Sequence, residues 1–183
     1  VTTQYVVTVT NAGGGCLSTD TVIVNAAVLN NSIQLIGPTV FCRNDSTALL
    51  QVLAADSIQW YRNTIAIPGA NQTQYNVVQT GSYYATLFSF TGCSLSTAIQ
   101  DITVHESPVA GFNTNTATQC FANNQFVFTN TSTIGSGTIQ YNWDLGDGNT
   151  ATTTDVNHSY AVEGTYLVKL LVTSDNGCTD SIS

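Results

Sequence analysis

Apolar and polar residues alternate with period two through most of this chain, the signature of half-buried strands. Tyr5, Val7 and Val9 fall on one face, with Val6, Thr8 and Thr10 on the other, ahead of a Gly13-Gly14-Gly15 turn. Residues 21–24 then read as a closing strand and 25–32 as a short linker. Residues 47–54 form the next strand, and 57–62 another in which Ile58 and Trp60 share a face. A polar turn at Asn63-Thr64, a Pro68-Gly69 break and a segment at 73–77 lead to a long strand over 83–90, closed by 95–104. Near the end, Tyr166, Val168, Leu170 and Val172 share one face, and Leu167, Lys169 and Leu171 share the other. No apolar stripe of helical period extends over ten residues, so the pattern predicts an all-β protein.

One element recurs three times. A tyrosine-led strand runs into a Gly-Cys turn from Tyr5 to Cys16, from Tyr83 to Cys93 and from Tyr166 to Cys178. The cysteines lie 77 and 85 residues apart, the size of one small β-sandwich and the spacing of an array. The expected division is a C-terminal remnant of a sandwich over 1–27, a complete sandwich over 28–106, and a third over 107–183 whose last strand is cut short. The chain is therefore expected to be an internal slice of a longer repeat protein.

Composition narrows the function. Only 8% of the 183 residues are charged, and three basic against eleven acidic side chains give a net charge of −8, which repels phosphate backbones and anionic membranes. Neither nucleic-acid binding nor membrane insertion is expected; no apolar run reaches 18 residues. Hydrophobic content of 43%, with abundant Thr, Val and Tyr, excludes a disordered coil.

Five cysteines with no Cys-x-x-Cys pair, and two histidines distant from them in sequence, indicate disulfides rather than a metal centre. Local pairing within each complete module gives Cys42 with Cys93 and Cys120 with Cys178. Cys16 is left to bond a cysteine upstream. Each bridge would contribute roughly 4 kcal/mol by loop entropy, and such bridges persist in an oxidising compartment, which places the protein outside the cytoplasm.

Gln59-Trp60-Tyr61-Arg62-Asn63, then Ile67-Pro68-Gly69-Ala70, Gln74-Tyr75 and Gly81-Ser82-Tyr83, resemble the immunoglobulin-like repeats of secreted Bacteroidota proteins. Cys42 and Cys93 lie outside the core strands, unlike the cysteines of antibody domains. The third module resembles a polycystic kidney disease (PKD) domain: Pro108-Val109-Ala110-Gly111-Phe112, the 126–132 strand, Tyr141-Asn142-Trp143-Asp144-Leu145-Gly146-Asp147-Gly148, His158-Ser159-Tyr160 and Gly164-Thr165-Tyr166 occur in that family's order. The resemblance implies tandem immunoglobulin-like β-sandwich modules, the last PKD-like.

It also implies candidate sites. Calcium ligands in some PKD modules would correspond to Asp144, Asp147 and Asp155. The sequence lacks an Asp-x-Asp-x-Asp-Gly loop with a bidentate Glu, so a tight turn is the stronger reading and no cofactor is expected. Bacteroidota O-glycosylation follows Asp-Ser/Thr and a small or apolar residue, which marks Thr21, Ser46, Ser57 and Ser181. Tyr83 and Tyr166 are expected as buried tyrosine corners, Tyr61, Tyr75 and Tyr84 as exposed aromatics, and Lys169 as a solvated lysine. His158 has no nucleophile on its own strand face, because Ser159 points the other way, and no catalytic motif is present.

The function expected is a non-catalytic stalk segment of an extracellular, cell-surface adhesin or filament, exported by a type IX system and linked to gliding motility. Its partners would be neighbouring repeats, with surface polysaccharide or other adhesin chains beyond them. The alternative is an accessory spacer, or a carbohydrate- or protein-binding module, of a secreted hydrolase.

Overall fold

The computed structural model describes residues 2–10, 17–25 and 29–183. They form strands, turns and connecting segments with no helix, in two compact units. The first comprises Val1–Gly37, Ala48–Val77 and Gly81–Ile102, the second Pro38–Thr47, Val78–Thr80 and Thr103–Ser183. The segments Pro38–Thr47 and Val78–Thr80, which the sequence groups with module 28–106, thus count with the second unit.

In the first unit, Thr2–Thr10 pairs antiparallel with Leu17–Asn25, from Thr2 opposite Asn25 to Thr10 opposite Leu17. Two further sheets follow. One has Ala48–Val52 at its centre, flanked by Ile33–Ile36 and Gln74–Val77. The other places Gly81–Phe88 between Ser57–Arg62 and the Gln100–Ile102 stretch, with Ile65–Ala66 and Ser94–Ser96 on its margins. Strict alternation decides which side chains go inward. Ala48, Leu50 and Val52 are buried from one strand, Ile58 and Trp60 from the next, and Tyr83, Ala85 and Leu87 from the third. The Trp60 indole N–H reaches Gln72 O at 2.8 Å, so the largest core side chain leaves no polar atom unpaired.

The second unit repeats this plan. Phe126–Asn130 lies between Phe112–Thr114 and Val156–His158 in one sheet. The other runs Thr150–Ala151, Ile139–Asp144, Lys169–Ser174, Thr179–Ile182. Phe128, Trp143, Leu145, Val156, Leu170 and Val172 form the core, and Trp143 donates its indole N–H to Thr153 O at 2.9 Å. Leu170 and Val172 are buried while Lys169 and Leu171 are exposed, which is the alternation expected from the sequence. Val40–Cys42 also belongs here, running parallel to Thr103–His105.

The cysteine pairing departs from expectation. Cys42 is bonded to Cys178, across 136 residues, with Cα atoms 5.6 Å apart. Cys93 and Cys120 are exposed free thiols, so neither Cys42–Cys93 nor Cys120–Cys178 forms. The cause is the parallel pairing. It sets Cys42 opposite His105, and the Arg43 N–H on His105 O at 3.0 Å continues the ladder toward the start of the second sandwich. Local spacing carries no information about that contact. Cys16 lies outside the described residues.

Candidate functional site

The clamp around Cys42 is built from partners within the second unit. Arg43 Nη2 meets Glu106 Oε1 at 2.8 Å, and the Asn44 N–H donates to Ser107 Oγ at 3.2 Å. Both charged groups are substantially exposed, so the ion pair orients the segment more than it stabilises it. Cys178, by contrast, is fully buried. It closes a turn in which the Ser174 N–H donates to Cys178 O at 2.8 Å and the Gly177 N–H to Ser174 O at 2.9 Å.

The second feature is the loop after strand Ile139–Asp144. Asp144 accepts from the Gly146 N–H at 3.0 Å, and Asp147 accepts from the Asn149 N–H at 3.0 Å and Asn149 Nδ2 at 2.9 Å. Asp147 also meets His158 Nε2 at 2.7 Å. Desolvation pushes the Asp147 carboxyl up, but the hydrogen bonds from His158 and Asn149 outweigh it and bring the pKa from 3.8 to about 2. A depressed carboxyl pKa adds stability that is present above about pH 4 and is lost as pH falls through about 2. Acid titration of unfolding should therefore show Asp147→Asn losing part of the slope between pH 4 and 2; superimposable acid limbs would contradict the contact.

Glycine shapes the same loop. Gly146 has φ +81°, and a Cβ there would lie 2.8 Å from Leu167 O; Gly148 has φ +91° and open space around it. Gly146→Ala is expected to cost about 2–3 kcal/mol, and Gly148→Ala only the smaller backbone term of roughly 1 kcal/mol. Equal denaturation midpoints for the two variants would refute the close approach.

These side chains are each held in local contacts. His158 is held by Asp147 and packs edge-on to Tyr160, with ring centroids 4.6 Å apart. Ser159 Oγ donates instead to Asn124 O at 2.6 Å. The Tyr160 phenol donates to Leu145 O at 2.8 Å; burial first, then Asp147 and Tyr166, push its pKa up. Asp155 accepts from the Asn130 N–H at 2.8 Å. Asp144, Asp147 and Asp155 are thus bonded to separate partners, and no group of three or more His, Cys, Asp or Glu among the described residues could hold a metal ion. Their carboxylates serve the turn and the Asn130 backbone, in line with the turn reading of this loop.

At the aromatic residues the expected burial of Tyr83 is met, whereas Tyr166 is only half-buried, and Tyr61, Tyr75 and Tyr84 are half-buried rather than exposed. Tyr83 is fully buried, and the Tyr166 phenol donates to Val162 O at 2.6 Å, as a tyrosine corner requires. Tyr61 and Tyr84 are paired across strands and stack 4.8 Å apart with nearly parallel planes. Tyr75 turns inward, packing against Trp60 and Tyr83 rather than facing solvent. A groove of about 490 Å³ in the second unit is lined by Phe112, Phe126, Phe128, Tyr160, Tyr166 and Leu167 among others. Sequence reasoning missed it, since alternation does not show where two sheets part. Of the hydroxyls marked for O-glycosylation, Thr21, Ser57 and Ser181 are exposed and Ser46 is half-buried.

Fold and core define an all-β protein of sandwich modules. Residues 105–183 match the family described as PKD domain. Matches among solved structures include the fibronectin(III)-like modules of Clostridium thermocellum CbhA, at 14% identity and TM-score 0.35 over 82% of this chain and 91% of that one. The amphioxus IgVJ-C2 molecule is similar at 14% identity and TM-score 0.36, over 78% and 96%. PKD domains are typically non-catalytic modules, consistent with a structural repeat or spacer. The disulfide belongs with an extracellular setting. Among the described residues no helix is long and apolar enough to cross a membrane.

Proposed function

We propose that this chain is a load-bearing, non-catalytic repeat segment of an extracellular surface protein, an adhesin or filament stalk that holds a distal tip away from the cell. The observation that carries the reading is the Cys42–Cys178 bond, which removes the 136-residue stretch between its ends from any pull applied along the chain. Low charge and a Thr- and Asn-rich surface suit a coat that resists nonspecific association. The resemblance to Bacteroidota repeats extends the proposal to a cell-surface, type IX-secreted protein of the gliding-motility kind. Its partners would be neighbouring repeats and, beyond them, surface polysaccharide or other adhesin chains. Glycans at Thr21, Ser46, Ser57 and Ser181 would then make it a glycoprotein.

Single-molecule stretching from the two termini tests the mechanical role. On reduction, the unfolded chain should gain about 480 Å of contour, the span of a 136-residue loop at roughly 3.5 Å per residue. Cys42→Ser should show that length without reductant. Equal lengths for oxidised and reduced chains would overturn the reading.

A further inference from the structure

Two turns in this chain follow one plan. In the turn 89–93 the Ser89 N–H donates to Cys93 O and the Gly92 N–H to Ser89 O, both at 2.9 Å. In the turn 174–178 the same bonds run from Ser174 to Cys178 at 2.8 Å and from Gly177 to Ser174 at 2.9 Å. Gly92 and Gly177 have φ of +82° and +80°, and the turns follow the strands Gly81–Phe88 and Lys169–Ser174 of their repeats. Cys93 and Cys178 therefore occupy equivalent hairpin positions. The front positions correspond in sequence offset: Cys42, at the end of strand Val40–Cys42, lies six residues before the strand beginning at Ala48, and Cys120, outside any strand, six before the strand beginning at Phe126.

The observed bond joins one member of each class, a front cysteine of one sequence repeat to the hairpin cysteine of the next. Among the described residues the remaining members, Cys93 and Cys120, are both exposed thiols. Neither would attract notice by itself; the bonded equivalent of each, in this same chain, says what it takes. We propose that Cys93 and Cys120 are the open positions of a disulfide series that links repeat to repeat: Cys120 accepts the hairpin cysteine of a further repeat, and Cys93 the front cysteine of another. Two copies of this chain supply the complementary pair, Cys120 of one with Cys93 of the other.

The oxidant is a small-molecule disulfide such as oxidised glutathione. The Cys93 thiolate attacks one of its sulfurs, forming a mixed disulfide and releasing one glutathione thiolate. The Cys120 thiolate of the second copy then attacks the Cys93 sulfur and releases the other. Two protein thiols lose two protons and two electrons, and one disulfide is reduced to two thiols.

The inference rests on the reading of these modules as consecutive repeats, and its test is separate from the stretching experiment. In a Cys16→Ser chain, Cys93 is the one hairpin-class cysteine outside the existing bond. Oxidised with glutathione, that chain should form disulfide-linked dimers and longer species on non-reducing gels. Peptide mapping should show Cys93–Cys120 between copies and Cys42–Cys178 retained within each. Adding Cys93→Ser, or adding Cys120→Ser, should abolish the linked species. The inference is overturned if pairs form within one class, such as Cys120–Cys120, if Cys42–Cys93 and Cys120–Cys178 form within a monomer, or if a monomer keeps both thiols. The last outcome removes the series and leaves the load-bearing role standing, because that role depends only on Cys42–Cys178.

Discussion

Replacing Cys42 with serine is expected to destabilise the second unit by about 5 kcal/mol, the chain-entropy value for a 136-residue loop. The loss would come mainly from the unfolded state, which gains the freedom that the bridge denies it. The two units hold one tryptophan each, so Trp60→Phe leaves Trp143 fluorescence as a reporter of the second unit during denaturant unfolding. In that background Cys42→Ser and Cys178→Ser should each shift the midpoint strongly, and the double variant should go no further than the larger single one. Additive losses would mean that the two cysteines act separately and are not bonded.

Trp143→Ala should cost about 3–5 kcal/mol, in the range of large-to-small changes at closed core positions. The side chain is fully buried, packs edge-on to Phe112 at 5.2 Å between centroids, and lies 6.2 Å from Phe128. Its removal opens a cavity between two sheets and strips Thr153 O of its 2.9 Å donor. Trp143→Phe keeps most of the packing and should lose only about 1–2 kcal/mol, the cost of the unmet carbonyl. Thermal unfolding distinguishes the two losses. Should both variants melt alike, the cavity rather than the hydrogen bond would be the part of the explanation to discard.

Much of the sandwich architecture was legible because period-two alternation assigns each side chain to a face. Leu170 and Val172 go inward and Lys169 outward for that reason, and the same rule buries Ile58 with Trp60. The turn role of Asp144 and Asp147 was legible too, since short carboxylates satisfy local N–H groups. Its anchoring partner was not: the His158 contact joins a loop to a strand eleven residues on, through a pairing that spacing does not encode. Val40–Cys42 is three residues long and pairs in parallel with a distant segment, so no local pattern announces it. The cysteine connectivity depends on that one strand. Nearest-neighbour pairing assumed each module closes on itself, whereas Cys42 is carried to the second unit.

The Cys42–Cys178 bond can be tested directly. Purified protein can be alkylated before unfolding, digested without reductant and mapped by mass spectrometry. The expected product is a single intramolecular cross-linked pair of peptides containing Cys42 and Cys178. Recovery of Cys42 with Cys93 and of Cys120 with Cys178 would contradict it, and would return each module to a separate, self-closed staple.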